Sequence, residues 1–139
     1  AQEHTNIHRA AQLRADTMVK LLERLDVMRK PERLADILLA CEADARSRPG
    51  FDARGYPQAG LVRAAAEAFR SVDAGAIAKQ LAESGKASGP SIAQAVHAAR
   101  VQAVAARTDQ HGLHASFARR IRNRNVSAGM RCHISHDDY

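Results

Sequence analysis

The 139-residue sequence predicts an all-α fold, an irregular bundle of about six helices. Three observations carry this expectation. Apolar residues recur at three- and four-residue spacing, and no stretch alternates apolar with polar as a half-buried strand would. The chain is 45% hydrophobic but only 4% aromatic, without Trp, and alanine fills many of the apolar positions; Ala is the best helix former and a poor strand former. Helix-start and helix-stop signals bracket the periodic stretches, as Pro31 and Pro49-Gly50 do.

Ala1–Leu13 reads as the end of one helix, already under way in a longer protein, because the chain opens AQEHTNIHRA without an initiator Met or an apolar signal core. Ala15–Arg29 reads as the second helix, burying Met18, Leu21, Leu22, Leu25 and Met28 and turning Lys20, Glu23 and Arg24 outward. The junction Arg29-Lys30-Pro31 is tight, since the residue before Pro avoids helical angles.

The third helix, Pro31–Arg48, organises the chain. Pro31 suits a first helical position and Glu32 complements the dipole there. Leu34, Ile37, Leu38, Cys41 and Ala45 form one apolar stripe. Pro49–Pro57 is the main loop, where Phe51 and Tyr56 pin the loop or meet a ligand.

The fourth helix, Pro57–Val72, carries Leu61, Val62, Ala65, Phe69 and Val72 on one side. The fifth, Ala74–Ser84, starts from Asp73 as its cap. Gly85–Gly89 is a polar break without the spacing of a phosphate loop. The sixth helix opens at Ser88-Gly89-Pro90 and is expected to end near Ala106, with Ile92, Ala95, Val96, Ala99 and Ala103 as its stripe. Val101 and Val104 lie off that stripe and meet a second neighbour or the tail. His97 and Arg100 are expected to face outward, Arg100 as a phosphate contact. Residues 1–106 thus form the helical portion and 107–139 a basic tail, in which Leu113–Arg124 forms a further helix.

The chain is long enough for one domain with a real core. Its net charge is +6, with 21 Lys and Arg against 15 Asp and Glu. A basic surface favours nucleic acid or other phosphate ligands. Six Arg against three Asp from Arg107 onward make that stretch the most basic, and Arg119 and Arg120 join Arg100 as candidate nucleic-acid contacts. No apolar run reaches about 18 residues, so no membrane span is expected. Two well-separated cysteines, Cys41 and Cys132, give no disulfide framework and fit a cytoplasmic setting.

Three places carry chemistry. Asp44 sits at the edge of the third helix's stripe and needs a partner, either Arg48 one turn on or a metal ion. His4 and His8 share a helix face, a pair that binds metal only with further ligands and otherwise reads as two ordinary histidines. Cys132, His133 and His136 form a loose cluster of a kind that arises easily by chance.

The segments EHTNIHRA, KPERLADILLACEADARSRPGF, GYPQAGLVRAAAEA and GPSIAQAVHAARVQAVAA together resemble the C-terminal part of the bacterial CCA-adding enzymes, the tRNA nucleotidyltransferases. The likeness runs from about Glu3 to about Ala106, and EADARxRxGF followed shortly by YPQ is its most specific piece. It implies a parent with a nucleotidyltransferase head, helical neck and body regions, and a C-terminal HD-type phosphohydrolase domain. The head adds C, C and A to tRNA 3′ ends from CTP and ATP, with Mg held by two carboxylates. No Asp-x-Asp occurs in this chain, so the head is absent and the chain alone is expected to be inactive in CCA addition, requiring no cofactor of its own.

The HD-type domain hydrolyses phosphoesters such as 2′,3′-cyclic phosphates, using Mg or a transition metal. Its His and His-Asp ligands are expected before Ala1, leaving residues 1–106 as the C-terminal half. His4 stands where the family has a functional His, and Asp44 stands at the EAD position; the resemblance implies that they are metal residues of a half-site. Some members carry Asn immediately after that His, where this chain has Thr5 and then Asn6. The implied partners are tRNA, CTP and ATP in the parent. Helices shaped to cover a missing half would expose apolar stripes, so a homo-oligomer is expected. Two alternatives stand beside this reading. One is an intact metal phosphohydrolase completed by His8, His111 or His114. The other is a non-catalytic helical module binding RNA or protein, which the basic tail favours and the scarcity of aromatics disfavours.

Overall fold

The computed structural model describes the backbone of residues 2–50 and 55–129, and the side chains of residues 2–50 and 55–111. Six α-helices follow one another: α1 (Gln2–His8), α2 (Ala15–Arg24), α3 (Pro31–Arg46), α4 (Pro57–Ser71), α5 (Ala74–Glu83) and α6 (Gly89–Gly129). A single 3-10 turn, Ala10–Gln12, joins α1 to α2. There is no strand among the described residues. The expected all-α bundle is therefore present, and each element starts where its sequence permits. Pro occupies the first turn of both α3 and α4, where its missing N–H is no loss. Asp73 caps α5, its carboxylate accepting from the Ala76 N–H at 2.9 Å.

Three expectations are corrected. The second helix ends at Arg24, not Arg29. Asp26 then takes a left-handed conformation, φ 56°, which only a turn requires. That turn sends Val27 into the core and leaves Met28 48% exposed, so Met28 is not on the buried face. Val19 is buried as well, because α2 is covered by both α4 and α6 and needs a wider apolar stripe than one neighbour would.

The sixth helix does not stop near Ala106 but continues to Gly129, absorbing the separate helix expected over Leu113–Arg124. Nothing between Ala106 and His111 breaks a helix, and Gly112 alone costs only about 1 kcal/mol in a helix already nucleated. At 1.5 Å per residue, its 41 residues span about 60 Å.

His97 and Arg100 turn inward, toward α2. His97 Nε2 lies 3.0 Å from Asp16 Oδ1. The Arg100 guanidinium sits 4.3 Å from the centre of the Phe69 ring and 3.8 Å from Glu23, with its side chain only 17% exposed. Val104 is fully buried and Val101 packs on the same core, so α6 meets the second neighbour that their position required.

The core runs through Leu21, Leu22, Leu38, Val62, Phe69 and Val104, from five of the helices counting Ile7 of α1. α1 packs across α3 and α4 at one end of it. That crossing brings together residues far apart in the chain. No helix among the described residues is long and apolar enough to cross a membrane.

Candidate metal centre

Packing against α3 and α4 positions α1. Ile7 is wholly buried and fixes its depth. Glu3 fixes its rotation, accepting from Arg24 Nε at 2.8 Å and Nη2 at 3.2 Å, a two-point contact. His4 and His8, one turn apart, then face α3, where Cys41 and Asp44 present side chains one turn apart.

Three electron-rich atoms converge. His4 Nε2 and His8 Nε2 are 3.0 Å apart, and Asp44 Oδ2 lies 3.6 Å from the first and 3.3 Å from the second. The other nitrogen of each ring is engaged. His4 Nδ1 is 3.4 Å from the fully buried Cys41 Sγ, whose thiol in turn points at the His4 carbonyl at 4.0 Å. His8 Nδ1 is 3.0 Å from the Tyr56 hydroxyl at the start of α4. Burial, with Asp44 second, raises the Cys41 thiol above its ordinary range. Burial likewise pushes the Tyr56 hydroxyl up to about 12. Both groups keep their protons at neutral pH and serve as hydrogen-bonding partners.

Two proton arrangements are open to this network. If each Nδ1–H donates outward, to Cys41 Sγ and to Tyr56 Oη, both Nε2 lone pairs face Asp44 and the three atoms repel one another unless a cation lies between them. If Tyr56 donates to His8 instead, His8 carries its proton on Nε2 and the cluster is satisfied by that proton. The first arrangement is the one metal-binding histidines take, with the far ring nitrogen tied to a neighbour. The spacing fits it: ligand atoms about 2.0–2.2 Å from one ion stand roughly 3.0–3.5 Å apart. His4, His8 and Cys41 also offer ligand atoms within 4.8 Å of one another. Cys41 Sγ lies against His4 Nδ1, whereas His8 and Asp44 meet at His4 Nε2, so the set gathered on that side of the ring is His4, His8 and Asp44. Imidazole and carboxylate together suit a hard or borderline divalent ion.

Both sequence-predicted metal residues, His4 and Asp44, thus meet at one point. Asp44 also has the alternative partner, Arg48, at 3.5 Å through the same oxygen. Its side chain is 44% exposed, so the pocket edge is wetter than a buried stripe would be. The sequence reading paired His8 with His4 and made it a completing ligand only in the alternative of an intact phosphohydrolase, and it left Tyr56 outside the site. The four-residue His spacing was the signal for His8, but it becomes specific only once Asp44 is seen across from it. Tyr56 gave no signal beyond being an aromatic in a loop.

Arg100 is stacked on Phe69, as described, and lies away from this cleft. The side chains of Arg119, Arg120 and His114, and the whole of Phe51, Cys132, His133 and His136, lie outside the described residues.

Several curated relatives share this stretch. Over 105 residues, 76% of this chain, it is 53% identical to the multifunctional CCA protein of an Acidovorax species, covering 24% of that protein. The multifunctional CCA protein of Variovorax paradoxus is 52% identical over 106 residues, 76% of this chain and 25% of its own length. That of Cupriavidus pinatubonensis is 53% identical over 110 residues, 79% of this chain and 26% of its own. The chain therefore spans about a quarter of the length of the relatives it matches. No family model matches it, and no solved structure does.

Proposed function

We propose, on this likeness to the multifunctional CCA proteins, that the chain is the C-terminal helical portion of a tRNA CCA-adding nucleotidyltransferase, carrying half of a divalent-metal site. In this reading the nucleotidyl transfer from CTP and ATP to the tRNA 3′ end belongs to the part of the parent that this chain lacks. The all-helical architecture supports it, as does the absence of any Asp-x-Asp pair from the sequence. A CTP and ATP incorporation assay with tRNA tests it: the 139-residue chain alone is expected to add nothing, and addition by the purified chain would overturn the reading.

The convergence of His4 Nε2, His8 Nε2 and Asp44 Oδ2 within 3.6 Å carries the metal part. A divalent ion held there would supply Lewis-acid charge to a phosphoryl oxygen. The chain's own contribution is to fix both rings through Cys41 and Tyr56 and to hold the carboxylate opposite them. Completion of the coordination shell falls to the parent, whose HD-type phosphohydrolase domain this portion would finish. The same triad favours a second reading, hydrolysis of 2′,3′-cyclic phosphates by that domain. Calorimetric titration with Mn2+ distinguishes a metal site from a hydrogen-bonded cluster. Binding lost in His4→Ala and Asp44→Ala is expected, and unchanged binding in both would overturn it.

tRNA contact in this reading falls on the basic stretch after Arg107, with Arg119 and Arg120, more than on Arg100, whose guanidinium is spent on Phe69 and Glu23. The cytoplasm is the compartment where tRNA ends are built, and the reading places the chain there.

A further inference from the structure

We propose that Cys41, with His4 and His8, forms a second metal position, for thiophilic divalent ions of the zinc and cadmium class, and that its occupation excludes a harder ion from the Asp44 side of the cluster. The thiophilic position needs no ion at Asp44; only the exclusion rests on the metal reading above.

The two positions lie on opposite edges of one ring. His4 Nε2 faces His8 and Asp44, whereas His4 Nδ1 lies 3.4 Å from Cys41 Sγ. An ion about 2.3 Å from a thiolate and about 2.0–2.1 Å from an imidazole nitrogen holds those two atoms roughly 3.5 Å apart at a tetrahedral angle. Sulfur and nitrogen therefore already stand at ligand spacing. His8 supplies the third donor, since it shares with His4 and Cys41 a set of ligand atoms within 4.8 Å of one another. Cys41 is wholly buried, but both imidazoles line the cleft and are partly exposed, so an ion approaches the sulfur past those rings. The negative charge of Asp44 is felt at the sulfur as well, and it favours a cation there. Thiolate is the ligand that selects the softer ions. On binding, the S–H bond breaks, a sulfur–metal bond forms from the sulfur electron pair, and the proton leaves to water. The ion keeps its oxidation state.

Exclusion follows from the protons of His4. A neutral imidazole has one lone pair and one N–H. A thiophilic ion takes the lone pair of Nδ1, so the N–H stands on Nε2, pointing at His8 Nε2 3.0 Å away and Asp44 Oδ2 3.6 Å away. The harder ion then loses one of its three donors. An ion on Nε2 does the reverse and turns the Nδ1 hydrogen toward Cys41 Sγ. Each ion therefore weakens the other, by the same factor.

The test uses Cd2+ on the 139-residue chain carrying Cys132→Ser, which leaves Cys41 as its single thiol. Thiolate-to-cadmium charge-transfer absorption in the ultraviolet is expected to saturate at one equivalent. His4→Gln, at a partly exposed position, is expected to weaken Cd2+ binding about tenfold or more with the helical circular dichroism unchanged. Asp44→Ala is expected to keep the band while it loses Mn2+. One equivalent of Cd2+ is expected to weaken Mn2+ binding roughly tenfold or more, read by calorimetry. Absence of the band, or a Cd2+ titration unchanged in His4→Gln, overturns the thiophilic position. Mn2+ affinity indifferent to Cd2+ overturns the exclusion. Failure of Mn2+ to bind even without Cd2+ overturns the Asp44 metal reading and the exclusion together, and the band still decides the thiophilic position.

Discussion

Tyr56 sits at the start of α4, yet its hydroxyl governs an imidazole on α1. Replacing it with Phe keeps the ring that packs against His8 and removes the acceptor for Nδ1–H. The expected result for Tyr56→Phe is a divalent-ion affinity lower by about 10–100-fold, with the helical circular dichroism unchanged. Asp16 offers a second residue-scale test. Hydrogen bonds from Lys20 and then His97 hold its carboxyl below the ordinary value of 3.8. The stability this contributes is complete above that ordinary value and is lost as pH falls through the lower folded one. Asp16→Asn should therefore lower the urea midpoint near neutrality and leave it little changed near pH 2, which flattens the acid limb between about pH 5 and pH 2. Neither pairing was legible in the sequence. Asp16 finds His97 81 residues away, and no local rule reaches that far.

Elements were easier to read than residues. Pro at the head of α3 and α4 and Asp73 before α5 are local signals, and all three helices begin where those signals stand. The ends were harder. α2 stops five residues early because Asp26 adopts a turn conformation that Asp tolerates but does not announce. α6 runs past its expected end because its apolar pattern fades before its helical backbone does. Arg100 was assigned outward by that pattern, though Phe69 and Glu23 give a cation a place inside. Within α4, Gly60 is not at a positive φ, and a Cβ there would meet the His111 ring at 3.5 Å, an ordinary contact. Gly60→Ala should stabilise the chain by about 0.5–1 kcal/mol, read as a higher urea midpoint at constant slope. A lower midpoint would mean that α4 and α6 approach too closely for one methyl group.

At the scale of the whole molecule, the proposed metal donors come from α1 and α3, some forty residues apart in sequence, and their orienting hydroxyl from the start of α4. The cluster exists only when those helices are docked. A cation that binds the folded chain and not the unfolded one must raise its melting temperature. At 100 times its dissociation constant, Mn2+ should add about 2.7 kcal/mol, reversed by chelator and absent in Asp44→Ala. The sequence carried the family likeness through strings such as EADARxRxGF, but it could not show that His8 and Asp44 are neighbours, since that fact belongs to the docking of α1.

Both imidazoles ride on α1, which is clasped to the rest by Ile7 and by the Glu3–Arg24 contact. Fraying of that single segment would carry two donors off together. The dwell time of a captured ion would then be governed by how often the clasp opens, and loosening Arg24, well away from every donor atom, would shorten it.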